Sequence, residues 1–219
     1  MFGRTVIYTD QAEITHDNVV EVLLRAAKEH SQNQNDIQYL WDYYRGKTAV
    51  LLKEKEIRPE INHKINENRC FEVVGFHKGY VFGEPIQYVR RETSKSVVDD
   101  ETIASDINAL NGYMADANKA AHDAALAEWL YIAGTSYRLA LPNVKWDAEG
   151  DESPFEIHTL DPRSTFVVYS NSIDERPMIS VNIVEHERGE KEFFVYTEDS
   201  SFDFREFGAV AETKHTLGM

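Results

Sequence analysis

Eight histidines, one cysteine and 38 carboxylates are the side chains in this chain that could do chemistry. The histidines stand at positions 16, 30, 63, 77, 122, 158, 186 and 215. None forms a His-Glu-x-x-His pattern or another close metal-ligand spacing. Glu185-His186-Glu187 suggests a clamp, but in a strand His186 points away from both glutamates. A thiol–histidine pair needs Cys70 beside His63 or His77. On one helix Cys70 and His77 stand two turns apart, about 10 Å by helical rise, so Cys70 reads as a small buried side chain. Asp161 precedes Pro162 and reads as a turn residue. Asp99-Asp100-Glu101 reads as the acidic start of a helix, favourable at its positive dipole end. There is no P-loop, no Gly-x-Ser-x-Gly elbow, and Gly79 to Gly83 is not a dinucleotide fingerprint. Trp41, Tyr43 and Tyr44 could stack on a base, but without basic neighbours they read as core or interface. No catalytic, cofactor or metal site is expected.

The charge points the same way. The 219 residues carry 23 basic and 38 acidic side chains, a net of −15. Residues 1–110 hold 14 basic and 18 acidic groups, and residues 111–219 hold 9 and 20. Such a surface repels nucleic acid and argues against a DNA-gripping module. A hydrophobic fraction of 42% supports a folded core. No apolar run reaches the ~18–20 residues of a membrane span, and the N-terminus lacks a secretory-signal pattern. A single cysteine excludes an intramolecular disulfide and a multi-cysteine zinc site.

The elements follow from periodicity. A helix is expected over 15–30, capped by Thr15 or Asp17, with Val20, Leu23, Leu24 and Ala27 on one stripe. The polar run 31–35 reads as a connector. A second helix carries Ile37, Leu40, Trp41 and Tyr44 inward and ends at Gly46. Residues 47–60 read as an exposed arm, interrupted by Pro59. Helical spacing resumes over 61–78, with Ile61, Ile65, Phe71 and Val74 as core candidates. Gly79 and Gly83 read as a helix end and a tight turn. Pro85 precedes a short strand, 86–89. Helices are expected over 99–114, with Ile103, Ile107 and Leu110 on one face, and over 117–133, ended by Gly134. The structural turn candidates are thus Gly46, Gly79, Gly83, Pro85 and Gly134. Strands are expected at 136–141, 155–159, 165–170, 178–185, 191–197 and 202–207, mostly as an antiparallel meander. The class is α+β: a mainly helical portion 1–134 and a strand portion 135–219.

Several short runs carry a resemblance. Tyr43-Tyr44-Arg45-Gly46-Lys47 is followed by Ile61-Asn62-His63-Lys64-Ile65-Asn66, then Phe71-Glu72-Val73-Val74. Gly79-Tyr80-Val81-Phe82-Gly83-Glu84-Pro85-Ile86 comes next. In this order they resemble the N-terminal, wing-type part of tailed-phage portal proteins, in the branch typical of long-tailed phages of Gram-positive hosts. The likeness continues through Asp106–Asn118 and the helix ending at Ala133-Gly134. It extends to Asp161-Pro162-Arg163 and Phe166–Tyr169.

The resemblance implies a non-enzymatic virion subunit, made in the host cytoplasm, with no cofactor and no membrane. It implies a closed ring of about twelve subunits at the head vertex. Its partners would be the major capsid and scaffolding proteins, the terminase motor and a head-completion adaptor. Duplex DNA would pass through without sequence-specific binding. Portal subunits of this branch are roughly twice as long, so the chain is expected to stop before the stem, clip and crown. Two other functions fit the sequence: a small acidic adaptor or regulator, and a hydrolase using scattered carboxylates.

Overall fold

A computed structural model describes residues 5–90, 100–147 and 153–205. Asp99, residues 148–152 and the strand end at 206–207 lie outside the described residues. The fold is α+β. Its described elements run β1 (Ile7–Thr9), α1 (Val19–Tyr44), α2 (Ala49–Leu52), α3 (Arg69–Phe82), α4 (Asp100–Asp116), α5 (Lys119–Ala133), β2 (Tyr137–Pro142), β3 (Phe155–Leu160), β4 (Thr165–Ser170), β5 (Pro177–Glu185), β6 (Lys191–Tyr196) and β7 (Ser201–Arg205).

Alternation along the later strands builds the main sheet. Its order is β1-β4-β5-β6-β7. The last four strands form the expected antiparallel meander. β1, unexpected from the sequence, adds a parallel edge against β4, with Ile7 opposite Val168. The registers place Phe166, Val181, Val195 and Phe202 in one cross-strand row. That row lies under Val19, Val22, Leu23 and Ala26 of α1. Each such valine, leucine or phenylalanine contributes about 1.5–3 kcal/mol when fully buried. β2 and β3 form a separate two-stranded hairpin.

α1 is the spine. Its 26 residues make a rod of about 39 Å. The expected connector at 31–35 is instead its middle. Ser and Gln cost a helix only a few tenths of a kcal/mol, and Asn33 is anchored. Buried Asn33 accepts from Thr5 N and donates to Thr5 O, both at 2.8 Å, pairing with the N-terminal segment as a strand would. The helix begins later than expected, at Val19 after Asn18, and neither Thr15 nor Asp17 caps it with a side chain. Its buried stripe is shifted accordingly, leaving Val20 and Leu24 exposed.

Three further expectations fail. Residues 61–68 are not helical. Asn68 caps α3 by accepting from Phe71 N at 3.1 Å, and Ile61, Ile65 and Phe71 are exposed, leaving Val74 as the buried contact. The segment after Pro85 is extended but forms no strand. Its Tyr88 backbone pairs with the side-chain amide of Asn111 on α4, N–H to Oδ1 and Nδ2 to O, both 2.9 Å. Cys70 is exposed, because the start of α3 turns it away from the core. No helix among the described residues is long and apolar enough to cross a membrane.

Candidate functional site: the junction of arm, helices and sheet

The C-terminal half of α1 meets α3 and α5 in a second core of Tyr44, Val74 and Ile132, flanked by Leu40 and Trp41. Three polar constructions lock this junction.

The first ends α1. Gly46, at φ +81°, donates its N–H to Tyr43 O at 3.0 Å, and Lys47 N reaches Asp42 O at 2.8 Å. These are the two bonds of a Schellman stop. Asn68 Nδ2 then donates to Tyr44 O (2.8 Å) and Asn66 Nδ2 to Gly46 O (2.5 Å). Asn66 Oδ1 accepts from the Thr48 hydroxyl at 2.8 Å. Two asparagines thus clasp the last carbonyl of α1 and that of Gly46 just past it, and the base of the arm is pinned on both sides. Arm residues 47–60 are otherwise exposed, Thr48 alone being half-buried.

The second joins α1 to the sheet. Asp161 takes part in the β3–β4 turn, its carbonyl accepting from Ser164 N at 3.1 Å. Arg163 grips the Asp161 carboxylate through Nε (3.0 Å) and Nη2 (2.5 Å). Its guanidinium also lies 5.3 Å from the ring centres of both Trp41 and Trp129. The two indoles stack on each other at 4.6 Å. Nη1 donates to Gln38 Oε1 at 2.9 Å, and Gln38 reaches Asp42 at 3.1 Å. One cation therefore ties turn, spine and α5 together. Its bond to Asp161 holds the guanidinium pKa above its usual value.

The third buries charge. Lys119 and Asp123, one turn apart on α5, are bonded at 2.5 Å, and Arg138 of β2 completes the triad on the other carboxylate oxygen. Burial pushes the Asp123 carboxyl up, but hydrogen bonds from Lys119 and Arg138 outweigh it and hold it below its ordinary value. Nearby, Tyr44 donates to Glu128 (3.2 Å), which also takes Lys78 at 2.5 Å. Burial, then the Glu128 charge, pushes the Tyr44 hydroxyl to about 12.

The glycines divide. Gly46 and Gly134 (φ +69°) adopt left-handed backbone at the ends of α1 and α5. Gly79 lies inside α3, with nothing within 4 Å of an added Cβ, so it is not a turn. Gly83 follows α3 with ordinary helical angles, but a Cβ there would sit 2.5 Å from Gly79 O. Pro85 opens the extended segment described above. Gly46→Ala should therefore cost about 1–2 kcal/mol, while Gly79→Ala should stabilise by about 0.5–1 kcal/mol. Urea unfolding of the two variants checks this; equal losses at both positions would contradict it.

His186 bonds Glu192 at 3.0 Å, alongside Arg205 on the other oxygen. His77 stacks on Tyr131. Among the described residues no group of three His, Cys, Asp or Glu side chains could hold a metal. Sequence reasoning missed Asn68, Arg163 and the triad. The i,i+4 spacing of Lys119 and Asp123 was a visible signal, as was Asn68 at a capping distance before Phe71.

Three of the runs that carry the portal resemblance meet in this junction: Tyr43–Lys47 ends the spine, Asn66 clasps it, and Asp161–Arg163 bolts it to the sheet. Among curated proteins no sequence matches. Comparison with known families matches residues 24–217 to the phage portal proteins of the SPP1 Gp6-like type. That match spans nearly the whole chain, and the chain belongs to this family of structural, non-enzymatic phage portal proteins.

Proposed function

We propose that this chain is a subunit of a portal ring at the vertex of a tailed-phage head. DNA would enter and leave through the ring, and the tail connector would attach to it. The family match over residues 24–217 carries this reading. A junction bolted by Arg163 and clasped by Asn66 and Asn68 supports it, because a ring wall needs rigid subunits and lateral surfaces. The ring is proposed to hold about twelve copies. Its proposed partners are the capsid and scaffolding proteins, the terminase motor and a head-completion adaptor. Its proposed place is the virion. Structural roles as turns and helix ends are proposed for Gly46, Gly83, Pro85 and Gly134. A nonsense mutation in the gene should yield heads without packaged DNA. DNA-filled heads in the mutant would overturn the reading.

The wall should not grip its cargo. Duplex binding requires Lys and Arg laid on phosphates. The net charge is −15, and Lys47 to Lys64 holds five basic against three acidic groups. Titration with a short duplex should show weak binding that disappears as salt rises. Submicromolar affinity at physiological salt would contradict the account.

A further inference from the structure

Resting on the ring reading, we propose that the arm, residues 47–60, docks its apolar side chains into the groove between α1, α3 and α5 of a second copy of this chain. A ring contact is heterologous and needs two different, complementary surfaces on each subunit. The arm offers one. Lys64 Nζ donates to Leu51 O at 2.5 Å and Lys55 Nζ to Ile61 O at 2.8 Å, so the arm is tied to the segment that follows it. It nevertheless leaves Leu52 and Ile57 each 84% exposed. Val50, Leu51 and Ile61 are exposed beside them, and a run of apolar side chains in water, unlike a single one, is characteristic of a contact surface.

The groove offers the other. It has a volume of about 430 Å³ and is lined mainly by apolar and aromatic groups, among them Tyr39, Tyr43, Val73 and Tyr131. Cys70 lies on its wall.

Charge selects a second copy as the occupant. Residues 47–60 hold four basic and three acidic groups, a net of +1, while the remaining chain holds 19 basic against 35 acidic groups. The arm is therefore attracted to the rest of another copy. At the groove, Arg69 faces two carboxylates, Glu67 at 2.7 Å and Glu72 at 2.8 Å, leaving a local excess of negative charge for Lys53 or Arg58. Apolar insertion supplies affinity, and the opposite charges set orientation.

Cys70 is the chain's only cysteine, which makes a clean test possible. A Leu52→Cys, Cys70→Ala chain carrying a size tag is mixed with the untagged natural chain and mildly oxidised with diamide. Each chain then has one thiol, so no link can form within a chain. The expected product is the mixed disulfide dimer, in excess over either homodimer and lost on reduction. Ile57→Cys with Cys70→Ala serves as the second variant, and the same samples are imaged for rings. Rings without the mixed dimer in either variant overturn the proposed contact and leave the ring reading standing. The mixed dimer without rings supports the contact and counts against the ring. Neither product overturns both.

Discussion

Arg163→Ala is expected to destabilise the chain by about 2–4 kcal/mol. Hydrogen bonds to a charged partner contribute about 1.5–3 kcal/mol each when removed, and a cation stacked on an indole adds about 0.5–1. Arg163 makes a forked bond to Asp161, one bond to Gln38, and contacts with two tryptophans. Its removal leaves Asp161 without the forked donor and opens a gap over the Trp41–Trp129 stack. Arg163→Lys should recover less than half of the loss, because an ammonium has no planar fork and stacks poorly. Chemical unfolding followed by tryptophan fluorescence reads both effects, since two of the three tryptophans lie in the stack. A loss below about 1 kcal/mol for alanine, or full rescue by lysine, would contradict the role given to the guanidinium.

Asp123→Ala should cost more, about 3–5 kcal/mol, because it strands the ammonium of buried Lys119. Lys119 and Asp123 side chains are 10% and 8% exposed, so water cannot replace the lost partner. The same carboxyl gives a pH signature. Its value in the folded chain lies below the ordinary 3.8. Its contribution is therefore complete well above that ordinary value and is lost as pH falls through the lower, folded one. The stability gap between the natural chain and Asp123→Asn should be constant near neutrality and close in acid below about pH 4. Thermal unfolding across pH measures it. A gap that widens in acid would mean that the carboxyl is not held ionised by Lys119 and Arg138.

What was legible in the sequence follows from range. β4 to β6 alternate clearly and are bounded by turn residues, so their places could be read within a residue or two. The stripe Ile103, Ile107 and Leu110 likewise emerges as one half-buried face of α4. Failures concentrate where side-chain amides replace backbone partners. Asn33 made a helix interior look like a loop, and Asn111 holds residues 85–90 extended without a second strand. Ile61 and Ile65 mimicked a helical stripe, although Asn68 three residues before Phe71 was a readable cap. β1 is only three residues long and depends on β4, far away in sequence. The bond between Arg163 and Gln38 spans 125 positions, and no local pattern encodes such a pairing. The family resemblance was visible because its motifs keep their order, and the clasp supplies a physical reason for their company.

The most direct measurement is negative-stain electron microscopy of the purified protein at neutral pH and moderate salt. The account predicts closed rings with a central opening and a single rotational symmetry. A uniform population of monomers or two-fold dimers across the accessible concentration range would contradict it.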